Sequence, residues 1–221
     1  MKADITSILE SSENLKEDLL ALGEELWMSI DHSDNASLQE GIEVKKEFND
    51  AVQKFTDSID EVSDIVDNYS PDKPDPAPES TTSEDADRVI RELDRHEEHS
   101  LNEDFAYRRP HGFQFDDFAV SDVRTWRRFY EVTCHHLSER FPERFDQVVE
   151  ADDFESSHGN RYFATEPGEL RTPSEVAEGI FAEVHFSADD IAGRISELLE
   201  FFGLDAERFK VYLREDRDAA E

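Results

Sequence analysis

Apolar residues between positions 5 and 69 recur in alternating steps of three and four. Ile5, Ile8, Leu15, Leu19, Leu22 and Leu26 form one series, with Ser12 filling a slot and Trp27 and Ile30 widening its end. Phe48, Val52, Phe55, Ile59, Val62, Val66 and Tyr69 form a second, which Leu38 and Ile42 extend backwards. Such spacing is the narrow apolar seam of a coiled-coil helix. Between the two series, Asp31-His32-Ser33-Asp34-Asn35 breaks or caps a helix. Ser37 with Glu40 fits a capping box, and Asn35 fits the cap equally well. The pattern predicts an antiparallel helical hairpin over residues 1–69, or one helix bent near Asp34. Two helices bury only part of their seams. The remainder is expected to pack on a second copy, on the C-terminal domain or on another protein, a four-helix dimer being simplest by symmetry.

After residue 69 the pattern changes. Residues 70–83 hold Pro71, Pro74, Pro76 and Pro78, which prevent helix and predict an extended linker. Residues 84–104 form a connecting segment, whose part 84–99 reads as a short charged helix with Val89, Ile90 and Leu93 as apolar contacts. From 105 to 214 a compact domain is expected. Phe113 and Phe115, then Phe118 and Val120, flank Asp116-Asp117 as in a β-hairpin. Ser121 is read as the cap of a helix carrying Val123, Trp126, Tyr130, Thr133 and Leu137, with a second short helix around Phe145 and Val148. Residues 161–164 read as a strand. Thr172-Pro173-Ser174-Glu175 predicts a helical turn, because a capping box is combined with proline at the first helical position. Residues 180–186 read as a strand, Ser187 as a cap, Ile191 to Phe202 as a helix ended by Gly203, and Phe209 to Arg214 as a last strand. The predicted class is α+β: a helical hairpin plus a small, mostly antiparallel sheet with helices packed on one face. Residues 215–221 form an acidic tail.

Charge adds a second layer. The chain of 221 residues has a formal net charge of −33, with 36% charged and 37% hydrophobic residues. Residues 1–104 carry 9 Lys and Arg against 30 Asp and Glu, a net −21, whereas residues 105–214 carry 13 against 22, a net −9. An acidic surface poor in lysine is the composition of proteins from salt-in halophiles. Disorder is the competing source of an acidic chain, and the aromatic residues clustered after residue 104 oppose it there. The single cysteine, Cys134, excludes an intrachain disulfide and a cysteine-rich zinc site. The acid-studded N-terminus lacks a signal core, and no apolar run approaches the ~18 residues of a membrane span. A cytoplasmic location is expected.

No glycine-rich phosphate loop, GxSxG, HExxH or CxxC occurs, and no cofactor is implied. Three constellations remain. Cys134-His135-His136 pairs a thiol with imidazoles, but consecutive helical residues point about 100° apart and do not converge on one atom. Glu183 and His185 share one face of a strand, and Lys210 and Arg214 share one face of the last strand. Were those strands neighbours, Glu183, His185 and Lys210 would be weak catalytic candidates of nuclease type. The bland alternative is cross-strand charge pairing. Finally, Arg108, Arg109, Arg124, Arg127, Arg128, Arg161 and Arg171 are nucleic-acid-binding candidates. Arg124, Arg127 and Arg128 fall on one helical stripe, and Tyr107 and Trp126 stand nearby as stacking groups. Internal salt bridges to the abundant acids are the alternative. His111 and His158 flank glycines and receive no role.

A string of landmarks in the second half resembles a module found in bacterial and archaeal proteins of unknown function. They are Asn102-Glu103-Asp104-Phe105, Arg109-Pro110, Gly112-Phe113, Trp126, Cys134, Asn160-Arg161-Tyr162-Phe163 and Leu170-Arg171-Thr172-Pro173, then Glu183 through Ser187-Ala188 to Phe202-Gly203 and Phe209 to Arg214. The resemblance covers residues 102–214, and His185 and Asp189 depart from its usual pattern. It implies no known activity, so no site residue is carried over; it gives only a slight tilt toward DNA-processing systems. The expectation is a non-enzymatic interaction module. Its hairpin (residues 5–69) would self-associate or dock a protein partner, and its α+β domain would recognise a ligand, nucleic acid among the options. A nuclease-type enzyme, or a subunit of a larger assembly, is the alternative.

Overall fold

The computed structural model describes residues 2–69, 83–156 and 159–214. The linker at 70–82, His158 and the acidic tail at 215–221 lie outside the described residues, as do the side chains of Ile5, Val66 and Tyr69. The chain divides into two compact units, Met1–Pro76 and Ala77–Glu221.

In the first unit, helix α1 (Lys2–Met28) packs against helix α2 (Asn35–Tyr69) as an antiparallel hairpin. The turn is held by its acids. Asp31 Oδ1 accepts from the Ser33 amide at 2.9 Å and from its hydroxyl at 2.6 Å. Asp34 Oδ2 accepts from the Ser37 amide at 2.9 Å, so Asp34 caps α2, rather than Asn35 or Ser37. The Ser33 and Ser37 hydrogen bonds hold both carboxyls below the usual aspartate range.

The line of contact between the two helices follows the apolar seam read off the sequence only in part: Val52 is buried and Leu19, Leu26, Phe48, Phe55 and Ile59 are half-buried. It is built on Ala21, Gly23, Gly41, Val52 and Thr56, with the Lys16 side chain 1% exposed and 3.1 Å from Glu13 Oε1. Small residues let the axes approach. A Cβ on Gly41 would strike the Ile30 side chain, and one on Gly23 would lie 2.9 Å from Lys45 Nζ. That ammonium donates to the Gly23 carbonyl across the pair. Leu15, Leu22, Ile8 and Val62, assigned to the seam by spacing, remain exposed.

The second unit holds two small antiparallel sheets. The first has the order β1-β7-β2-β3, from β1 (Glu98–Ser100), β7 (Phe209–Leu213), β2 (Pro110–Phe115) and β3 (Phe118–Ser121). The second has the order β4-β6-β5, from β4 (Phe163–Ala164), β6 (Ile180–Glu183) and β5 (Pro173–Ala177). Helix α4 (Trp126–Arg140), which the short helix α5 (Pro142–Phe145) follows, touches β2 of one sheet, β5 of the other and helix α6 (Ala188–Phe202), so both sheets share one core. Alternation supplies that core. Phe113 and Phe115 stand opposite Val211 and Phe209, and the Phe113 and Phe209 rings stack at 4.9 Å. Trp126, Phe129, Cys134, Ile191, Ile195 and Leu198 fill the space from the helices.

The reverse face of the first sheet presents Ala119 and Tyr212, covered by Leu93 of helix α3 (Ser83–Leu93). Gly112 lies beneath that cover, where a Cβ would enter the Val120 carbonyl and lie 3.1 Å from Leu93. Strand β1 follows α3 inside the segment expected to be helical; His99 pairs with Val211 of β7.

Two local expectations are overturned. Ser121 does not cap α4. It pairs with Gly112 as the last residue of β3, and Thr125 Oγ1 caps instead, accepting from the Arg128 amide at 3.1 Å. Residues 172–175 are not a helical turn. Pro173 opens β5, whose Ser174 pairs with Ala182, and the Glu178-Gly179 turn closes the hairpin with Gly179 at φ 70°. By contrast, Ser187 Oγ accepts from the Asp190 amide at 3.2 Å and Gly203 ends α6 at φ 69°, as predicted. Among the described residues no helix is long and apolar enough to cross a membrane.

Candidate functional site

Three segments of the second sheet meet at a recess of about 240 Å³. It is lined by Asn160, Arg161 and Tyr162 on the approach to β4, by Glu169, Leu170 and Arg171 on the approach to β5, and by Glu183, His185 and Phe186 between β6 and α6. Members of two constellations that the sequence kept apart, Arg161 and Arg171 of the arginine set and the pair Glu183 and His185, therefore stand at one place.

Glu183 organises the recess. It is buried at the end of β6. Its Oε2 accepts from the Arg171 amide at 2.7 Å and from the Thr172 amide at 3.1 Å, and its Oε1 accepts from the His185 amide at 2.9 Å. A carboxylate with three backbone donors is a loop clamp. It holds the backbone of Arg171 in place while the Arg171 side chain remains exposed. Tyr162 is fixed from two sides. Its carbonyl accepts from the Glu183 amide at 2.9 Å, and the Arg194 guanidinium of α6 sits 4.0 Å above its ring centroid. Arg161 reaches the Val149 carbonyl at 3.3 Å and is exposed at the rim. The His185 side chain is buried in the wall.

The remaining candidates lie elsewhere. Lys210 is on β7, in the other sheet from β6, so it does not meet Glu183 and His185. Its ammonium is 2.8 Å from Glu98 on the neighbouring strand, which holds it above the usual lysine range. That is cross-strand charge pairing. The arginine stripe is also dispersed. Arg124 precedes the helix. Arg127 and Arg128 bind the two oxygens of Glu131 at 3.0 and 3.5 Å, and Glu131 in turn accepts from Ser174 of β5 at 2.7 Å. These arginines tie α4 to the second sheet. Arg108 lies 3.4 Å from His99, and the backbone carbonyls of Arg108 and Arg109 accept from the Trp126 indole at 2.8 Å and the Arg214 amide at 3.0 Å. Trp126 is fully buried and offers no stacking surface; Tyr107 is exposed.

The Cys134-His135-His136 run diverges, as helix geometry requires. Cys134 is buried, and burial pushes its thiol far above the ordinary range. His135 pairs with Glu139 at 3.4 Å, and His136 stacks on Phe118 at 3.8 Å. The His111 and His96 rings lie 4.4 Å apart, tilted by 42°. Among the described residues no three His, Cys, Asp or Glu side chains converge as metal ligands would.

The sequence offered Asn160 only as a landmark of the resemblance, not as a site residue, and did not reveal the Arg194 guanidinium over the Tyr162 ring. Neither has a local signal, since Arg194 meets Tyr162 only through the packing of α6. No family model, curated protein or solved structure matches the chain.

Proposed function

We propose that the protein is a non-enzymatic interaction module whose α+β unit binds an anionic ligand in the Arg161–Arg171 recess, with a single-stranded nucleic acid as the ligand. The observation that carries this reading is the convergence of Arg161, Arg171 and Tyr162 on one opening. Guanidinium groups match phosphate oxygens in geometry and charge. An aromatic ring held rigid by Arg194 offers a base a face on which to stack. The hairpin supplies the association surface of the same module.

The nuclease reading is the weaker one. It needs a carboxylate open to a metal or a water, and both oxygens of Glu183 already accept backbone amides. It also needs Lys210, which stands in the other sheet.

The test is anisotropy of labelled single-stranded DNA and RNA on the full chain across a KCl series, with Arg161→Ala/Arg171→Ala as the variant. Arg127→Ala/Arg128→Ala is the control. Binding that weakens with salt and falls at least tenfold in the first variant alone supports the reading. Equal loss in the control, or no binding at any salt that keeps the protein folded, ends it.

A further inference from the structure

The hairpin leaves an apolar face uncovered. Ile8, Leu15 and Leu22 stand seven residues apart on α1 and are 63%, 47% and 38% exposed. At about 100° per residue their row is rotated roughly 100° from the contact line through Lys16 and Gly23, since Leu15 and Leu22 immediately precede those two residues. On α2, Val44, Val62 and Ile65 are exposed and rotated roughly 80–140° from the line through Gly41, Val52 and Thr56, in the same sense, whereas exposed Ile42 lies on the other side of that line. In an antiparallel pair, equal senses of rotation send both rows to the same side. The two rows therefore border one trough along the hairpin.

The shape and charge of this trough select its occupant. A row repeating every seven residues is complementary to another helix with a seven-residue apolar repeat. By the same helical spacing, exposed Glu25 lies outward of the α1 row, and exposed Glu40 and Glu47 lie between Val44 and Ile65 on α2, with Lys54 just beyond them. Residues 1–69 carry 5 lysines against 18 acids, a net −13. A second copy would set acidic edge against acidic edge, whereas edge positions beside such seams favour opposite charges.

We infer that the trough seats a third helix from a partner protein, amphipathic in seven-residue repeats and basic along its flanks. This rests on the reading of the hairpin as an association surface, and it names the partner's chemistry.

The probe is a labelled synthetic peptide of four heptads with leucine in the seam and lysine or arginine along the flanks. A counterpart has the same seam and glutamate flanks. Each is titrated into the full chain and into Leu15→Asp/Leu22→Asp, whose exposed positions allow it to fold and whose helicity is checked by circular dichroism. The basic peptide should bind at least tenfold more tightly than the acidic one, and at least tenfold more tightly to the native chain than to the variant. The variant adds two negative charges, so attraction by charge alone would strengthen there. Equal or tighter binding to the variant overturns the inference, as does equal binding of both peptides. Light scattering on the native chain separates the remaining case. A dimer mass that drops to monomer in the variant assigns the trough to a second copy, keeping the association reading and ending this one. A monomer that binds neither peptide ends both.

Discussion

The amide of Arg171 donates to Glu183 Oε2 at 2.7 Å, so the residue that offers a guanidinium to the recess is held by a buried carboxylate from the adjoining strand. Removing the charge of Glu183 loosens the Glu169–Thr172 segment and leaves amides poorly matched. Glu183→Gln preserves the shape but turns one acceptor into a donor facing two of the three N–H groups. The expected loss is about 2 kcal/mol. It is read as a lowered urea midpoint with an unchanged slope. An unchanged midpoint would show that the clamp contributes nothing.

The clamp also marks where sequence reasoning stopped. Elements encoded by neighbouring residues were legible. The Phe113–Phe118 hairpin, the Ser187 cap and the Gly203 stop each depend on a few consecutive positions. Strand β5 was misread because a Thr-Pro-Ser-Glu string is locally a good helix start, and only pairing with β6 and the Glu183 clamp hold it extended. Strand β1 was missed because its partner, β7, lies more than a hundred residues away. The recess shows the same division. Arg161, Arg171, Glu183 and His185 were each identified, but their meeting depends on the β4-β6-β5 register, which no local pattern contains. The hairpin was legible as two helices, yet its contact line only in part, because Gly23 and Gly41 permit a close crossing beside the apolar rows.

Cys134 should be chemically silent in the folded protein. It is buried among α4 and core residues, burial pushes its thiol well above the ordinary range, and only the thiolate attacks disulfide reagents. Ellman's reagent should therefore label native protein at a rate set by unfolding, and label it at once in guanidinium. Rapid native labelling at neutral pH would return the Cys134-His135-His136 run to the list of reactive sites.

The net charge of −33 predicts a strong dependence of stability on salt. Repulsion among like charges opposes the compact state and is screened over a Debye length of about 10 Å at 0.1 M salt. The thermal midpoint should rise steadily as KCl increases from dilute to molar. A midpoint that ignores KCl would contradict a salt-adapted surface. Nucleic acid binding should move the opposite way, weakening as salt rises, so the two curves cross in a window where the protein is folded and still binds.

His136 should make the fold sensitive to mild acid. Its ring stacks on Phe118 at 3.8 Å, and burial, helped by the nearby Arg140 and His135, lowers its pKa from 6.5 to about 4. Asp116 and Asp117, in the β2–β3 turn, pull the other way without reversing the shift. Because the folded value is below the unfolded one, the unfolded chain binds the proton first as pH falls. The stability that depends on neutral His136 is fully present above about pH 6.5. It declines through the interval down to about 4 and is absent below it. With part of the ring reached by solvent, the loss over that interval is about 2 kcal/mol. Carboxylates titrate in the same range, so the measurement is the difference between native chain and His136→Phe, which keeps the ring stack and removes the titration. The gap between their urea midpoints should change between pH 7 and pH 4, with the variant gaining relative to the native chain as pH falls. Parallel curves would mean that His136 takes up its proton without cost in the fold, and that its ring is not held neutral against Phe118.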